Sequence, residues 1–95
     1  MVLLKNFDKA FENKVRLGIM SALMVNESLD FTHLKELLNV TDGNLASHMK
    51  TLEQNEYVSF SKEFAGRKPK TKYSATNNGK AAFRKHLQAL EELFN

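Results

Sequence analysis

Cysteine is absent from this chain of 95 residues. Without it there is no disulfide framework, no thiolate nucleophile and no thiolate-ligated zinc, and a reducing cytoplasm fits such a composition. No apolar run approaches the roughly 18 residues of a membrane-spanning helix, and the first residues show no signal-peptide pattern. Repeats, linkers and low-complexity tracts are missing too. We therefore expect one domain, residues 1–95, that works in the cytoplasm and has no membrane partner.

Catalytic and metal-binding patterns are also lacking. The sequence shows no acid–base pair, no nucleophile triad and no glycine-rich phosphate loop. His86 and Glu91 lie five positions apart, without a second histidine nearby, which is not the close helical spacing of a metal site. We expect no enzyme activity, no cofactor and no metal.

Charge is unevenly distributed along the chain, although its net value is only +3. Residues 1–61 carry six Lys and Arg against eight Asp and Glu, whereas residues 62–85 carry eight Lys and Arg against Glu63 alone. Such asymmetry suggests an anionic partner on one side of the fold.

The most informative stretch is residues 41–58, TDGNLASHMKTLEQNEYV. Leu45, Met49 and Leu52 fall at i, i+4 and i+7, which is one stripe of a helix. The opposite face is small and polar: Gly43, Ser47, Lys50 and Gln54, with Asn44 and Thr51 beside it. Short hydrogen-bonding groups suit close approach to base edges, but a plain amphipathic helix of weak surface propensity explains the pattern equally well.

The flanking segments predict further helices and a hairpin. A first helix is expected over residues 9–25, with a close helix crossing at Gly18. A second helix covers residues 33–38, with Thr32 as its N-cap and Asn39 as its end. Thr41 caps the central helix, so that two helices flank a short turn.

After residue 57 the hydrophobic period changes to two. It predicts strands over residues 58–64 and 71–75 around a turn at residues 65–69. Thr76 caps a last helix over residues 77–94. The expected fold is mainly α with a small β-hairpin, in the order α-α-α-β-β-α.

These segments together resemble the small winged helix-turn-helix transcriptional regulators of the MarR and ArsR type. Residues 40–53, VTDGNLASHMKTLE, are similar to the recognition helix of that family, and residues 66–73, GRKPKTKY, to its wing. Residues 15–23, VRLGIMSAL, and 31–38, FTHLKELL, resemble its first two helices. The resemblance implies a sequence-specific regulator that binds double-stranded DNA.

The resemblance also implies the contact residues. Asn44, Ser47, Lys50 and Thr51 would face the major groove, while Gly43 lets the backbone approach a phosphate. Thr32, Thr41 and His48 would contact phosphates, although packing is an equal alternative for His48. The wing would place Arg67, Lys68, Lys70 and Lys72 on the backbone or in the minor groove.

The two ends of the chain are more apolar than a domain of this size readily buries. We expect them to form the interface of a two-fold homodimer, as the terminal helices of such regulators do, or else to pack on their own core. The predicted interface residues are Leu3, Leu4, Phe7, Phe11, Leu87, Leu90, Leu93 and Phe94. A small-molecule effector stays open but is not indicated. A winged-helix protein-interaction module and a DNA-associated subunit without sequence preference are the alternative functions.

Overall fold

The computed structural model describes residues 3–94. It contains four helices: α1 (Lys14–Val25), α2 (Phe31–Leu38), α3 (Asp42–Gln54) and α4 (Asn77–Glu92). Three strands form one antiparallel sheet: β1 (Leu29–Asp30), β2 (Val58–Ala65) and β3 (Lys68–Ala75). Short 3-10 turns at Leu3–Asn6 and Lys9–Phe11 precede α1. No helix in the described range is long and apolar enough to cross a lipid bilayer.

The first predicted helix is interrupted near its start. The carboxylate of Asp8 caps the 3-10 turn, and α1 begins only after Asn13, whose Oδ1 accepts from the backbone N–H groups of Val15 and Arg16. Two short polar side chains therefore take the N–H groups that a continuous helix would have used. The prediction of one helix over residues 9–25 was wrong for this reason.

The two central helices form a helix-turn-helix unit. Asp30, and not Thr32, caps α2, because its Oδ1 accepts from the N–H of His33 at 2.8 Å. Asn39 ends α2 in the left-handed conformation, with φ of 53°, as predicted. The hydroxyl of Thr41 accepts from the N–H of Asn44 at 3.1 Å, which confirms it as the cap of α3.

The sheet has the strand order β1-β3-β2, and its outer part is a hairpin of β2 and β3 that we call the wing. Its turn contains only Gly66 and Arg67, since Ala65 already pairs with Lys68, and Gly66 has a φ of 69°. The turn is therefore tighter than the five residues predicted. Pro69 is tolerated in β3 because β1 pairs only with the far end of that strand, at Leu29 and Asp30.

The core lies between α1, α2, α3 and the base of the sheet. Its fully buried large side chains are Phe11, Ile19, Met20, Leu23, Leu34, Leu45, Met49 and Leu52. A Cβ built on Gly18 would lie 2.8 Å from Cδ2 of Leu38, which confirms a close crossing of α1 and α2 at this glycine. The apolar stripe predicted for α3 is thus its core face.

Candidate nucleic-acid interface

The outer face of α3 is polar and solvent-exposed. Gly43, Asn44, Ser47 and Lys50 are exposed, whereas Leu45, Met49 and Leu52 on the opposite face are at most 1% exposed. Thr51 is half-buried at the edge of the face, and its hydroxyl donates to the carbonyl of Ser47 at 3.4 Å. The buried stripe fixes the rotation of α3, so the exposed row projects from a rigid support.

Gly43 has free space around it. A Cβ built on it would meet no atom within 4 Å, so the protomer itself does not require glycine at this position. Glycine in a helix costs about 0.5–1 kcal/mol relative to alanine. Its presence on the exposed face therefore leaves room for close approach by another molecule.

A cleft of about 490 Å³ joins the start of α2 to the wing. Thr32, Lys68 and Lys70 all line it, so the structure brings together one residue of α2 and two of the wing. Hydroxyl and ammonium groups are the donors that proteins use on DNA phosphates. Thr41, at the start of α3, is exposed as well, although its hydroxyl oxygen also caps the helix.

Two of the four wing cations predicted to contact DNA form ion pairs with acidic side chains. Nζ of Lys70 lies 3.4 Å from Oδ2 of Asp30, and Nζ of Lys72 lies 3.2 Å from Oε2 of Glu63. The hydrogen bond from the N–H of His33, aided by Lys70, holds the pKa of Asp30 below its usual value. The cluster is therefore less positive than the sequence suggests.

Arg67 and Lys68 differ from Lys70 and Lys72 in their charge environment. Both are exposed, and neither forms an ion pair with any residue in the described range 3–94. They occupy the tip of the wing, at the turn and at the first position of β3. Lys62 of β2 is likewise exposed and without an ion pair among the described residues, so the unpaired positive charge of the wing lies on its outer half, including the tip.

His48 is half-buried and bonded within the protein. Nη1 of Arg16 donates to its Nδ1 at 2.9 Å, and Nε of Arg16 donates to the carbonyl of Ala10 at 2.7 Å. Burial, with a smaller effect from the cation of Arg16, lowers the pKa of His48. Because Nδ1 accepts, the neutral ring carries its proton on Nε2. His48 therefore offers a neutral donor and both packs and remains partly accessible.

Arg16 was not among the predicted site residues. The sequence signal for it was its place in residues 15–23, the segment that resembles the first helix of the family, and its partner lies 32 residues away. The contact orients a ring on α3 from α1, and no local pattern encodes it.

The predicted dimer residues divide into two groups. Phe11 is only 2% exposed, stacked on Tyr57 with ring centroids 5.3 Å apart and edge-on to Phe83 at 5.2 Å. It belongs to the core of the protomer, which corrects its assignment to the interface. Phe7 is half-buried against His86, with centroids 5.4 Å apart.

The side chain of Leu3 is outside the described part of the structure, and the remaining members of this set lie at the surface. Leu90 is half-buried. The large exposed side chains are Leu4 (60%), Leu87 (41%), Leu93 (47%) and Phe94 (87%). They come from the first 3-10 turn, which packs on α4, and from the end of α4 itself. An apolar surface thus remains at this end of the molecule.

A three-helix core with a helix-turn-helix, an exposed polar helix and a basic wing defines a winged-helix DNA-binding domain. Residues 15–94 match the family of winged helix DNA-binding domains. An uncharacterized protein of Methanocaldococcus jannaschii is 38% identical over 85 residues, which are 90% of this chain and 92% of that protein.

Solved structures show the same fold. A transcriptional regulator homologue from Pyrococcus horikoshii superposes with a TM-score of 0.90 at 34% identity, covering 99% of this chain and 95% of that one. BpsR of Bordetella bronchiseptica, whose DNA binding is regulated by 6-hydroxynicotinic acid, superposes with a TM-score of 0.74 at 12% identity, covering 98% and 70%.

The chain therefore belongs to the winged helix DNA-binding domain family. Together with its likeness to the Pyrococcus horikoshii protein over nearly its whole length, this makes it a DNA-binding transcriptional regulator. The fold and the DNA-binding function expected from the resemblance are confirmed.

Proposed function

We propose that the chain acts as a homodimer that recognises a specific double-stranded DNA sequence, with α3 in the major groove and the wing on the backbone or minor groove. It works as a single domain in the cytoplasm and controls transcription by occupancy, without catalysis or a cofactor. The observation that carries this proposal is the exposed row of short polar side chains on α3, backed by a fully buried stripe.

We assign the contacts with base edges to the middle of α3. The amide of Asn44 and the hydroxyl of Ser47 are short groups able to reach base edges, and Lys50 adds a donor for guanine or phosphate. Thr51 supports this row from its edge, since its hydroxyl is directed to the carbonyl of Ser47. The open space at Gly43 admits a phosphate close to the helix backbone.

Phosphate contacts surround this row. Thr32 and Lys68 lie along one cleft, Thr41 at the start of α3, and His48 donates a neutral hydrogen bond through Nε2. A neutral donor does not displace counterions from the DNA. His48 should therefore help to position the domain without steepening the salt dependence of DNA binding. Arg67 and Lys68 should steepen the salt dependence, because neither forms an ion pair within residues 3–94.

The exposed leucines and Phe94 support the homodimer. A two-fold axis through this surface would present two copies of α3, and winged-helix dimers of this kind read half-sites about 34 Å apart along DNA. Sedimentation velocity at tens of micromolar protomer tests the assembly directly. A monomer under those conditions would contradict it.

Selection from a pool of random-sequence duplexes, followed by fluorescence anisotropy, tests the DNA readout. We expect enrichment of an inverted repeat that is bound more tightly than a scrambled duplex at both about 50 and 200 mM salt. Equal binding to both duplexes would leave only a sequence-independent role. A pool that does not enrich, with no binding at low salt, would favour the protein-interaction alternative.

Charge-neutralising variants locate the wing on the DNA. The pair Arg67→Gln and Lys68→Gln should weaken binding and reduce the slope of log K against log salt by about 2. The matched control is Lys9→Gln with Lys85→Gln, which removes two charges from a different cleft. An equal loss in both double variants would mean that net charge alone matters.

The DNA binding of BpsR is regulated by 6-hydroxynicotinic acid, which is an aromatic acid. Aromatic acids are therefore the first candidate effectors to add to this assay.

A further inference from the structure

Two exposed phenylalanines lie on one face of the wing. Phe60 and Phe64 are four residues apart in β2, so they point to the same side of the strand. Phe60 is 54% exposed, and its ring lies 6.2 Å from that of Tyr73 at the base of the sheet. Phe64 is 74% exposed and has no aromatic neighbour among residues 3–94.

The side chain of Phe64 is not part of the hydrophobic core of its own protomer. Residues 59–64 and 66–70 are all exposed, so this part of the wing projects beyond the body of the domain. From Val58, which is buried, to Phe64 the strand advances about 20 Å at roughly 3.3 Å per residue. Directly across from Phe64 stands Pro69, so the two side chains form an apolar edge near the tip.

The surroundings of Phe64 indicate what covers it. Lys62 is on the same face of β2, and Arg67 and Lys68, which form no ion pair in the described part of the chain, follow within four residues. The partner must therefore combine negative charge with an apolar surface. A DNA minor groove has both, since phosphates line its rims, sugars form its walls, and an inserted apolar side chain can pack between base steps. Minor-groove proteins commonly place an apolar wedge beside arginine in this way.

We propose that Phe64 is an apolar wedge of the wing, which packs into the minor groove and partly unstacks a base step while Arg67 and Lys68 hold the flanking phosphates. This rests on the proposed DNA-binding function and extends it to deformation of the bound DNA. The wedge would add a preference for flexible pyrimidine–purine steps beneath the wing, independent of the bases that α3 reads.

Three variants separate the wedge from other roles. Phe64→Ala removes the ring, Phe64→Leu retains an apolar wedge, and Phe60→Ala removes the neighbouring exposed ring as the matched control. The probe is the duplex enriched from the random pool, with 2-aminopurine at successive steps under the wing and end labels that report bending by energy transfer. Circular dichroism checks that each variant is folded.

Wild type should raise the 2-aminopurine fluorescence at one step and bend the duplex. Phe64→Ala should lose both signals and about tenfold in affinity, with an unchanged salt slope because no charge is removed. Phe64→Leu should keep most of the bend, and Phe60→Ala should resemble wild type.

Several outcomes overturn the wedge. If wild type binds the duplex and Phe64→Ala gives the same affinity and fluorescence, the wedge is wrong while the proposed function stands. If wild type binds no duplex at all, both fail together. If Phe64→Ala instead changes the sedimentation coefficient of the free protein, the ring belongs to a contact between copies and not to DNA.

Discussion

Gly79 is the position where the structure predicts the largest effect of a single methyl group. It is buried in the first turn of α4, and a Cβ built on it would overlap the carbonyl oxygen of Tyr57 and lie 2.8 Å from the carbonyl carbon. The same oxygen accepts a hydrogen bond from the N–H of Thr76 at 3.0 Å. Gly79→Ala must therefore displace backbone, and a side-chain rotation cannot relieve the overlap.

The cost can be worked from these contacts. Overpacking against a rigid group costs about 1–3 kcal/mol, and a weakened backbone hydrogen bond about 1 kcal/mol more. The better helix propensity of alanine offsets about 1 kcal/mol of this destabilisation at most. A net loss of about 2 kcal/mol is expected, which for a domain of this size lowers the melting temperature by about 8–16 °C.

Gly43→Ala is the matched control, because Gly43 also lies in the first turn of a helix but has nothing within 4 Å of its added Cβ. It should leave the free energy of unfolding unchanged or raise it by up to about 1 kcal/mol. Urea and thermal unfolding at one fixed protein concentration, followed by circular dichroism, measure both variants. A loss below about 1 kcal/mol in Gly79→Ala would refute the packing argument. Loss of DNA affinity in the stable Gly43→Ala protein would support phosphate approach there.

Three further predictions concern the backbone and titration. Glu56 has a φ of 61°, so Glu56→Gly should raise the free energy of unfolding by about 1 kcal/mol in urea titrations. Burial, with the hydrogen bond to Asp8, raises the pKa of Tyr57 to about 12. An unfolded tyrosine ionises near pH 10, so this stabilisation is complete below about pH 10 and is lost as the pH rises to about 12. Tyr57→Phe should flatten that alkaline fall. The pKa of His48 should lie below 6.5 in an NMR titration and rise in Arg16→Gln, where the neighbouring cation is gone. An unchanged His48 pKa in that variant would contradict the Arg16 contact.

Local chemistry made α3 predictable. The stripe of Leu45, Met49 and Leu52 and the cap at Thr41 are each encoded within a few residues, and the structure has both. The end of α2 at Asn39 was also predicted correctly, because the signal for it is local. The start of α1 failed because two polar side chains, at residues 8 and 13, competed for the same backbone N–H groups.

Contacts between distant residues were not predictable from the sequence. Lys70 forms an ion pair with Asp30 of β1, which lies 40 positions earlier in the chain. The number of wing cations without an acidic partner therefore depends on the pairing of β1 with β3, which the hairpin pattern does not show. Phe11 looked exposed because its partners, Tyr57 and Phe83, lie 46 and 72 residues away. The contact residues on DNA stay predictions.

One polar network connects the end of α3 with the end of the molecule that carries the exposed leucines. The N–H of Asp8 donates to Nδ1 of the buried His86 at 3.0 Å, and the hydroxyl of Tyr57 donates to the carboxylate of Asp8 at 2.6 Å. Tyr57 follows α3 closely, its N–H donating to the carbonyl of Leu52 at 3.0 Å. These hydrogen bonds connect the N-terminal segment, α3 and α4, and each requires a defined geometry. A partly buried network of this kind is costly to leave partly satisfied. In a homodimer built on the N-terminal segment and α4, the two recognition helices would be fixed relative to the two-fold axis, so the half-site spacing on DNA would be set by the fold and not by a flexible joint.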